Sequence, residues 1–367
     1  MAYGQLIDAA REMIATSSPE SHAGSVRTKK NWLRKWLERE FIAKPFRIDR
    51  MRSFFRFYQK TGFQKWLQKS NSLGKAKLTK LAAQVPPNVI NPYISDNATE
   101  TANGWQVVYP AVGKPCGEVG LFLGCVSRLA DVETLNSAIF VLNRLGYTVY
   151  VPSTQTCCGA LHQHSGDVAK AAMLAWQNKK AFGELNLSKI ITTASGCGVQ
   201  LTECHALKAQ EHCHNNDVVE NDSSTDFSSC IVDVSKFLVA ANGWDEVEIR
   251  PLASRIAVHD PCSLCNGLRD QAYVYMLLAH IPGIELIPLA GNDQCCGAAG
   301  TYFIDQPDFA MKLQAEKISA VNDSDIRYLA TSNIGCSLHI ASGLRAAGST
   351  VEVLHPVTLL ARQMGIQ

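Results

Sequence analysis

The sequence lacks any apolar run near the roughly 18 residues that a membrane-spanning helix needs. Its first residues lack the basic stretch and apolar core of a secretory signal. It also contains no Gly-rich dinucleotide loop, no P-loop and no Ser/His/Asp pattern. These absences argue against a membrane-spanning protein and against a chain that itself holds a flavin or an organic substrate. They favour a globular protein of the cytoplasm.

Cysteine, by contrast, is abundant, with 13 residues in a chain of 367. Disulfides are disfavoured in the cytoplasm, and an odd number of cysteines cannot be fully paired. Metal binding or redox chemistry is therefore the leading explanation for so many thiols.

Eight of the cysteines belong to an internal repeat, in which a single Cys is followed by an adjacent Cys-Cys-Gly and then by a last single Cys. The first copy has 31 residues before the pair and 38 after it, and the second copy has 32 and 39. Two long spacings that agree to within one residue predict two copies of one structural unit. The repeated residues are Cys125, Cys157, Cys158 and Cys197 in the first copy and Cys262, Cys295, Cys296 and Cys336 in the second.

A short β-rich run precedes each cysteine group, and helical patterns such as Val132–Leu145, Val168–Phe182 and Asp308–Val321 lie between the runs. This alternation predicts an α/β fold with two pseudo-symmetric parallel-sheet halves. Each cysteine group would lie in a loop at the carboxyl end of a strand, where open parallel sheets place their ligands. Gly159 and Gly297 are expected to let the backbone approach a bulky group closely. Helix N-termini after the loops would stabilise thiolates.

The predicted organisation is a basic amphipathic helical arm (1–85), a linker (86–114), a first half (115–245) and a second half (246–367). Residues 1–82 hold 18 Lys and Arg against 6 Asp and Glu, whereas residues 83–367 hold 17 against 27. Basic and aromatic residues interleave over 26–69. That pattern fits peripheral contact with the inner face of the cytoplasmic membrane, and it fits equally well a helix that docks on the body or on a partner. Nucleic acid is not an expected partner.

Four cysteines per site suit either a [4Fe–4S] cluster or a Cys₄ zinc site. Structural zinc usually uses two Cys-x-x-Cys knuckles, which neither copy has, so a cluster is favoured over zinc and over inert buried cysteines. Four further residues lie close to the motifs and are candidates for an extra ligand or for a hydrogen-bonding role beside the ligands. They are Cys265, His259, His162 and His164.

The motifs resemble the cysteine-rich CCG domain of the heterodisulfide reductase superfamily and, within it, the iron–sulfur subunits of glycolate oxidase. The resemblance runs from about residue 115 to the C-terminus. It implies an electron-transfer subunit that relays electrons from a flavoprotein toward the quinone pool, with 2-hydroxy-acid oxidation on the flavoprotein. Together with four cysteines in each copy, the expected cofactors are two [4Fe–4S] clusters. The matching segments are Phe122–Arg128, Cys157–Gly166, His259–Cys262, Cys295–Tyr302 and His355–Leu360.

The sequence departs from that pattern in two ways. Heterodisulfide reductase domains end in Cys-x-x-Cys, and the first of those positions is Ala194 in one copy and Asn333 in the other. The loss of this cysteine weakens the case for disulfide reduction, so a cluster-dependent disulfide reductase is the second hypothesis and not the first. A zinc-binding structural subunit is the third. The two-cluster ferredoxin signature that usually precedes the domain is also absent. A separate ferredoxin-like protein becomes an expected partner, unless that module precedes Met1 or has been lost.

Overall fold

The computed structural model describes residues 104–203 other than 186 and 188, residues 227–366, and short pieces before residue 104. Most of the predicted arm therefore lies outside the described residues, although residues 47–52 are described and helical. In the described part of the chain, no helix is long and apolar enough to cross a bilayer. The short pieces are residues 9–11, 13, 44–45, 47–52, 84, 86, 90–93 and 101–102.

The first half is built on a five-stranded sheet with the order β3-β5-β4-β6-β7. Its four later strands are parallel, and β3 joins β5 antiparallel at one edge. A small antiparallel pair, β1 (Thr101–Ala102) and β2 (Trp105–Gln106), precedes the sheet. The sheet strands are β3 (Val108–Tyr109), β4 (Gly117–Phe122), β5 (Tyr147–Tyr150), β6 (Ile190–Thr192) and β7 (Ile231–Asp233). The helices are α1 (Ser127–Ala130), α2 (Val132–Arg144), α3 (Ala160–His164), α4 (Val168–Gly183), α5 (Ser195–Thr202), α6 (Phe227–Cys230) and α7 (Val234–Val239).

The second half is built on a four-stranded, fully parallel sheet with the order β11-β10-β8-β9. A short 3₁₀ turn, Trp244–Glu246, lies in the connection between the halves. The strands are β8 (Ser254–His259), β9 (Ile284–Pro288), β10 (Tyr328–Thr331) and β11 (Glu352–Leu354). A π-helical turn, Ser263–Leu268, is followed by α8 (Gln271–Leu278), α9 (Tyr302–Asp305), α10 (Pro307–Asn322), α11 (Ile334–Ala346) and α12 (Pro356–Gln363).

The two sheets share one strand order, because β5-β4-β6-β7 in the first half corresponds to β9-β8-β10-β11 in the second. The predicted α/β fold with two parallel-dominated halves is confirmed, and the three helical patterns named above are observed as α2, α4 and α10. The first sheet also recruits part of the predicted linker 86–114. Trp105 and Tyr109, from β2 and β3, are each no more than 2% exposed in its core.

The halves pack against each other around an approximate twofold relation. Helix α2 of the first half lies against α12 of the second. The counterpart of α2 in the second half, α8, lies against α7, which is the counterpart of α12 in the first half. One apolar core runs through this interface and includes Leu135, Val274 and Leu359. At the other end, α5 contacts the π-helical turn. This packing places the cysteine-bearing edges of the two sheets beside each other.

Helix starts near the sites follow from local side-chain chemistry. The Asp233 carboxylate accepts a hydrogen bond from the Ser235 N–H at 2.8 Å and caps α7. His355 Nδ1 accepts one from the Val357 N–H at 3.1 Å and caps α12. Pro307 occupies the first turn of α10, where its missing N–H costs nothing.

Candidate metal centres

The repeated cysteines lie at the carboxyl ends of corresponding strands in both halves. Cys125 follows β4, the Cys157-Cys158 pair follows β5, and Cys197 lies in the first turn of α5 after β6. The second half repeats this placement after β8, β9 and β10. Parallel strands end at one edge of a sheet, so the loops converge as the spacing predicted.

The four thiols of each half form one contact group. In the first group, Cys125 Sγ and Cys157 Sγ lie 3.4 Å apart, and hydrogen-bond contacts continue from Cys157 to Cys158 and from Cys158 to Cys197. The second group has the same order of contacts, from Cys262 to Cys295, then Cys296, then Cys336. The structure therefore brings together all eight cysteines that the repeat singled out, four in each group.

The four thiols of each group are better suited to binding metal cations than to remaining as free thiols. The hydrogen bond to Cys157, together with burial, raises the pKa of Cys125 well above its ordinary value. The hydrogen bond with Cys295 raises the pKa of Cys262, whereas hydrogen bonds from Cys262 and Cys296 lower that of Cys295. Thiols crowded in this way do not all ionise unless metal cations neutralise them. Four sulfur donors without a carboxylate fit an iron–sulfur cluster or zinc.

The two groups differ in their exposure. In the first, Cys157 and Cys158 are 2% and 3% exposed, Cys125 is buried and Cys197 is half-buried. In the second, Cys296 and Cys336 are buried, but Cys295 is half-buried and Cys262 is exposed. The second group is the more accessible of the two.

An amide side chain holds the first loop of each site in place. In the first half, Gln155 Oε1 accepts a hydrogen bond from the Leu123 N–H at 2.8 Å, and Nε2 donates to the Leu121 carbonyl at 3.2 Å. Asn292 bridges the corresponding Asp260 N–H and Val258 carbonyl at 3.2 and 2.9 Å. Neither amide was among the predicted site residues. A signal for them was present, because each lies just before its Cys-Cys pair.

The glycine after each pair has a positive φ, +94° at Gly159 and +88° at Gly297. A Cβ on Gly159 would lie 3.2 Å from backbone atoms of Ala171, and one on Gly297 would lie 2.7 Å from the Ala310 carbonyl oxygen. The close approach that glycine permits here is therefore to the following helix, α4 or α10, and this contact positions the cysteine pair.

A hydrogen-bonded junction joins the two sites. The Ser195 and Ser263 hydroxyls lie 2.7 Å apart, two residues before Cys197 and one residue after Cys262. Asn333 Nδ2 donates to the Ser263 hydroxyl at 3.1 Å, and Asn333 Oδ1 caps α11. Asn333, which stands where the related pattern has a cysteine, thus connects two loops of the second site, and Ser263 links them to the first site.

The four additional candidates have different surroundings. The buried His259 ring contacts Thr331 through Nδ1 at 2.9 Å, and a ring nitrogen lies within 4.8 Å of the Cys296 and Cys336 thiols. The Cys265 thiol, in the π-helical turn, has its pKa raised by burial and by the charge of Asp260. His162 Nδ1 lies 4.0 Å from the Asp167 carboxylate, and the His164 ring faces Gly300 of the second half. His259 is thus placed against the second cysteine group.

A short N-terminal piece covers the first group. Ile48 packs in the apolar cluster that contains Cys125, Cys157 and Cys158. Next to it, the Asp49 carboxylate lies 3.2 Å from the Arg128 guanidinium and 3.5 Å from that of Arg52, and the three side chains are at most 8% exposed. The described part of the segment 26–69 therefore docks on the body.

Comparisons with known proteins agree with this geometry. The cysteine-rich domain family CCG matches residues 119–202 and 256–341. A probable glycolate oxidase iron-sulfur subunit of Bacillus subtilis is 28% identical over 99% of this chain and 78% of its own length. Lactate utilization protein A of Geobacillus kaustophilus is 27% identical over 66% of this chain and 98% of its own length.

A third relative, the glycolate oxidase iron-sulfur subunit of Escherichia coli, is 30% identical over 61% of this chain and 54% of its own length. Both matched segments of the domain family begin in the strand before the first cysteine and extend past the last one. The chain therefore carries two copies of the CCG cysteine-rich domain and is homologous to glycolate oxidase iron–sulfur subunits and lactate utilization protein A.

Proposed function

We propose that the chain is the iron–sulfur electron-transfer subunit of a glycolate-type 2-hydroxy-acid dehydrogenase complex. It would accept electrons from a flavoprotein subunit, which oxidises the acid, and pass them toward the quinone pool. The observation that carries the proposal is the pair of corresponding four-thiol groups, which lie on either side of one hydrogen-bonded junction. The names of the relatives support the class of complex.

The proposal assigns one [4Fe–4S] cluster to each group of four cysteines. Such a cluster, when bound, supplies one-electron transfer. The donor set fits it, since each group offers four sulfur atoms from three loops and no carboxylate. The ligands of the first cluster would be Cys125, Cys157, Cys158 and Cys197, and those of the second would be Cys262, Cys295, Cys296 and Cys336.

The residues around the two groups would hold the thiols in place, connect the two sites and leave one site accessible to a partner. Gln155 and Asn292 fix the first loop of each site, so the thiols stay in place when the charge changes. The Ser195–Ser263 contact is a short link between the two sites, and an electron that leaves one cluster would pass across it to the other. Because Cys262 is exposed, the second half would be the side that faces a redox partner.

The proposal places the chain in the cytoplasm, where it would work with the flavoprotein and with a separate ferredoxin-like protein. Contact of 26–69 with the membrane remains a proposal for the residues outside 47–52. The boundaries at 85/86, 114/115 and 245/246 also stay predictions. No residue of this chain is assigned a catalytic role toward the organic acid.

Anaerobic purification with iron and sulfide analysis tests the proposal. We expect about eight iron and eight sulfide per chain, the amount in two [4Fe–4S] clusters. Mixing with a pre-reduced 2-hydroxy-acid flavoprotein should then bleach the visible absorption of the clusters. A folded, colourless protein that carries zinc would refute the proposal in favour of a structural subunit. Turnover of a disulfide by the isolated protein would refute it in favour of a disulfide reductase.

A further inference from the structure

Lys317 is a lysine buried inside the second half. It lies on α10 and is 2% exposed, although lysine is among the residues least often buried. Its ammonium donates a hydrogen bond to the carbonyl of Gly291, in the loop that leads to Cys295. Among the described residues, no carboxylate lies within ion-pair distance of it. A buried ammonium without an anion is unfavourable, so an anionic group is expected close by.

The charge of Lys317 acts on the pocket of the second cysteine group. Burial, followed by the charge of Lys317, lowers the pKa of His259 to about 4. The ring of His259 in turn has a nitrogen within 4.8 Å of the Cys296 and Cys336 thiols. The ammonium contacts the loop that carries Cys295, and Gly297, directly after the cysteine pair, contacts Ala310 of the same helix. The lysine and the cysteine loop are therefore packed against each other in a poorly solvated region, in which charges interact strongly.

The first half shows that a charge is not needed to hold the loop. Gly159 contacts Ala171 on α4 and Gly297 contacts Ala310 on α10, which aligns the two helices. Seven residues further along, α4 carries Asn178 where α10 carries Lys317. Neutral Asn178 accepts a hydrogen bond from the Thr156 N–H at 2.7 Å and donates to the Cys157 carbonyl at 3.0 Å.

The cation beside the first group has a different setting. Burial lowers the pKa of Arg128, and the charge of Asp49 opposes this more strongly than that of Cys125 does. Arg128 shares the buried Asp49 carboxylate with Arg52. The second half offers its cation without such a carboxylate. The anion that remains available to Lys317 is the one that the cysteine group itself would hold.

We propose that the Lys317 ammonium is the buried countercharge of the second cluster and raises its reduction potential. This inference rests on the proposed function. A four-thiolate cluster is a net anion and becomes more negative on reduction, so a nearby fixed cation stabilises the reduced state more than the oxidised one. Lys317 is thus a charge-tuning residue that acts on one of the two centres.

Redox titration of the loaded full-length chain, followed by EPR, tests this inference. Lys317→Gln keeps a hydrogen-bond donor for Gly291 but removes the charge. Lys312→Gln, at an exposed lysine of the same helix, is the matched control. We expect Lys317→Gln to lower one of the two potentials by at least a tenfold change in the reduction equilibrium constant, equivalent to about 59 mV for one electron. The other potential, and both potentials of the control, should not change.

Two unchanged potentials in an iron-loaded Lys317→Gln chain would overturn the inference. Should Lys317→Gln fail to load the second site, Lys317→Arg decides. Loading of the Arg variant alone would support the countercharge, whereas failure of both would show that lysine has a packing role and overturn it. A wild-type chain without iron would instead overturn the proposed function, so the two failures are distinguishable.

Discussion

The two halves share one architecture, yet they surround their cysteines differently. Strand order, the amide at Gln155 or Asn292, and the glycine contact with the next helix correspond in both. In the first half the thiols are more deeply buried and residues 47–52 cover them, whereas Cys262 of the second half is exposed. The shared features set where four thiols meet, and the differing ones set the access and local charge of each site.

The largest expected difference concerns the cover of the first site. Asp49→Ala would leave the buried guanidinium groups of Arg128 and Arg52 without their carboxylate. Breaking a buried pair in this way costs about 3–5 kcal/mol. Urea unfolding should show this loss, and iron release should accelerate at the first site alone. Glu133→Ala, which removes an exposed partner of Arg362, is the control and should cost no more than about 1 kcal/mol. Equal losses in the two variants would contradict the described docking.

The next difference compares the two glycines. Alanine at either position must adopt a positive φ, which costs about 1–3 kcal/mol. Gly297→Ala should destabilise the chain more than Gly159→Ala, because its Cβ would lie 2.7 Å from a carbonyl oxygen and the other 3.2 Å from its nearest backbone atoms. Unfolding midpoints measured in parallel give the ranking, and the opposite order would rule out the described loop geometry.

The two amides provide a smaller comparison. Gln155→Leu leaves the Leu123 N–H and the Leu121 carbonyl without their side-chain partner at a fully buried position, at a cost of about 1–3 kcal/mol. Asn292→Leu should cost less, since Asn292 is half-buried and water can replace part of its bonding. Denaturant unfolding of both variants checks the order. A larger loss at Asn292 would show that the two amides are not equivalent.

Cys265 offers the smallest expected effect. It is a cysteine near the second group without a counterpart in the repeat, and burial, followed by the charge of Asp260, raises the pKa of its thiol. Cys265→Ser should leave the iron content and the EPR signals unchanged. Loss of iron from the second site would make Cys265 a fifth ligand.

Features that depend on the repeat were predictable from the sequence, and features that depend on docking were not. The parallel strands and the two groups of four cysteines follow from local pattern and spacing, because parallel strands bring their ends together. The order of the strands was not predicted. The Ser195–Ser263 contact joins residues 68 positions apart across the interface of the halves, where no repeat signal operates. The Asp49–Arg128 pair likewise depends on how an N-terminal segment packs on the body. Lys317 could have been found by aligning α4 with α10 and asking why one position differs in charge.

The central claim is that each half holds its own cluster on its own four cysteines. Its most direct test is iron, sulfide and EPR analysis of Cys158→Ser and Cys296→Ser beside the wild-type chain, all prepared anaerobically. Each variant should lose about half of the iron, and each should lose a different EPR signal. Loss of all iron in both variants, or of none in either, would contradict two separate centres.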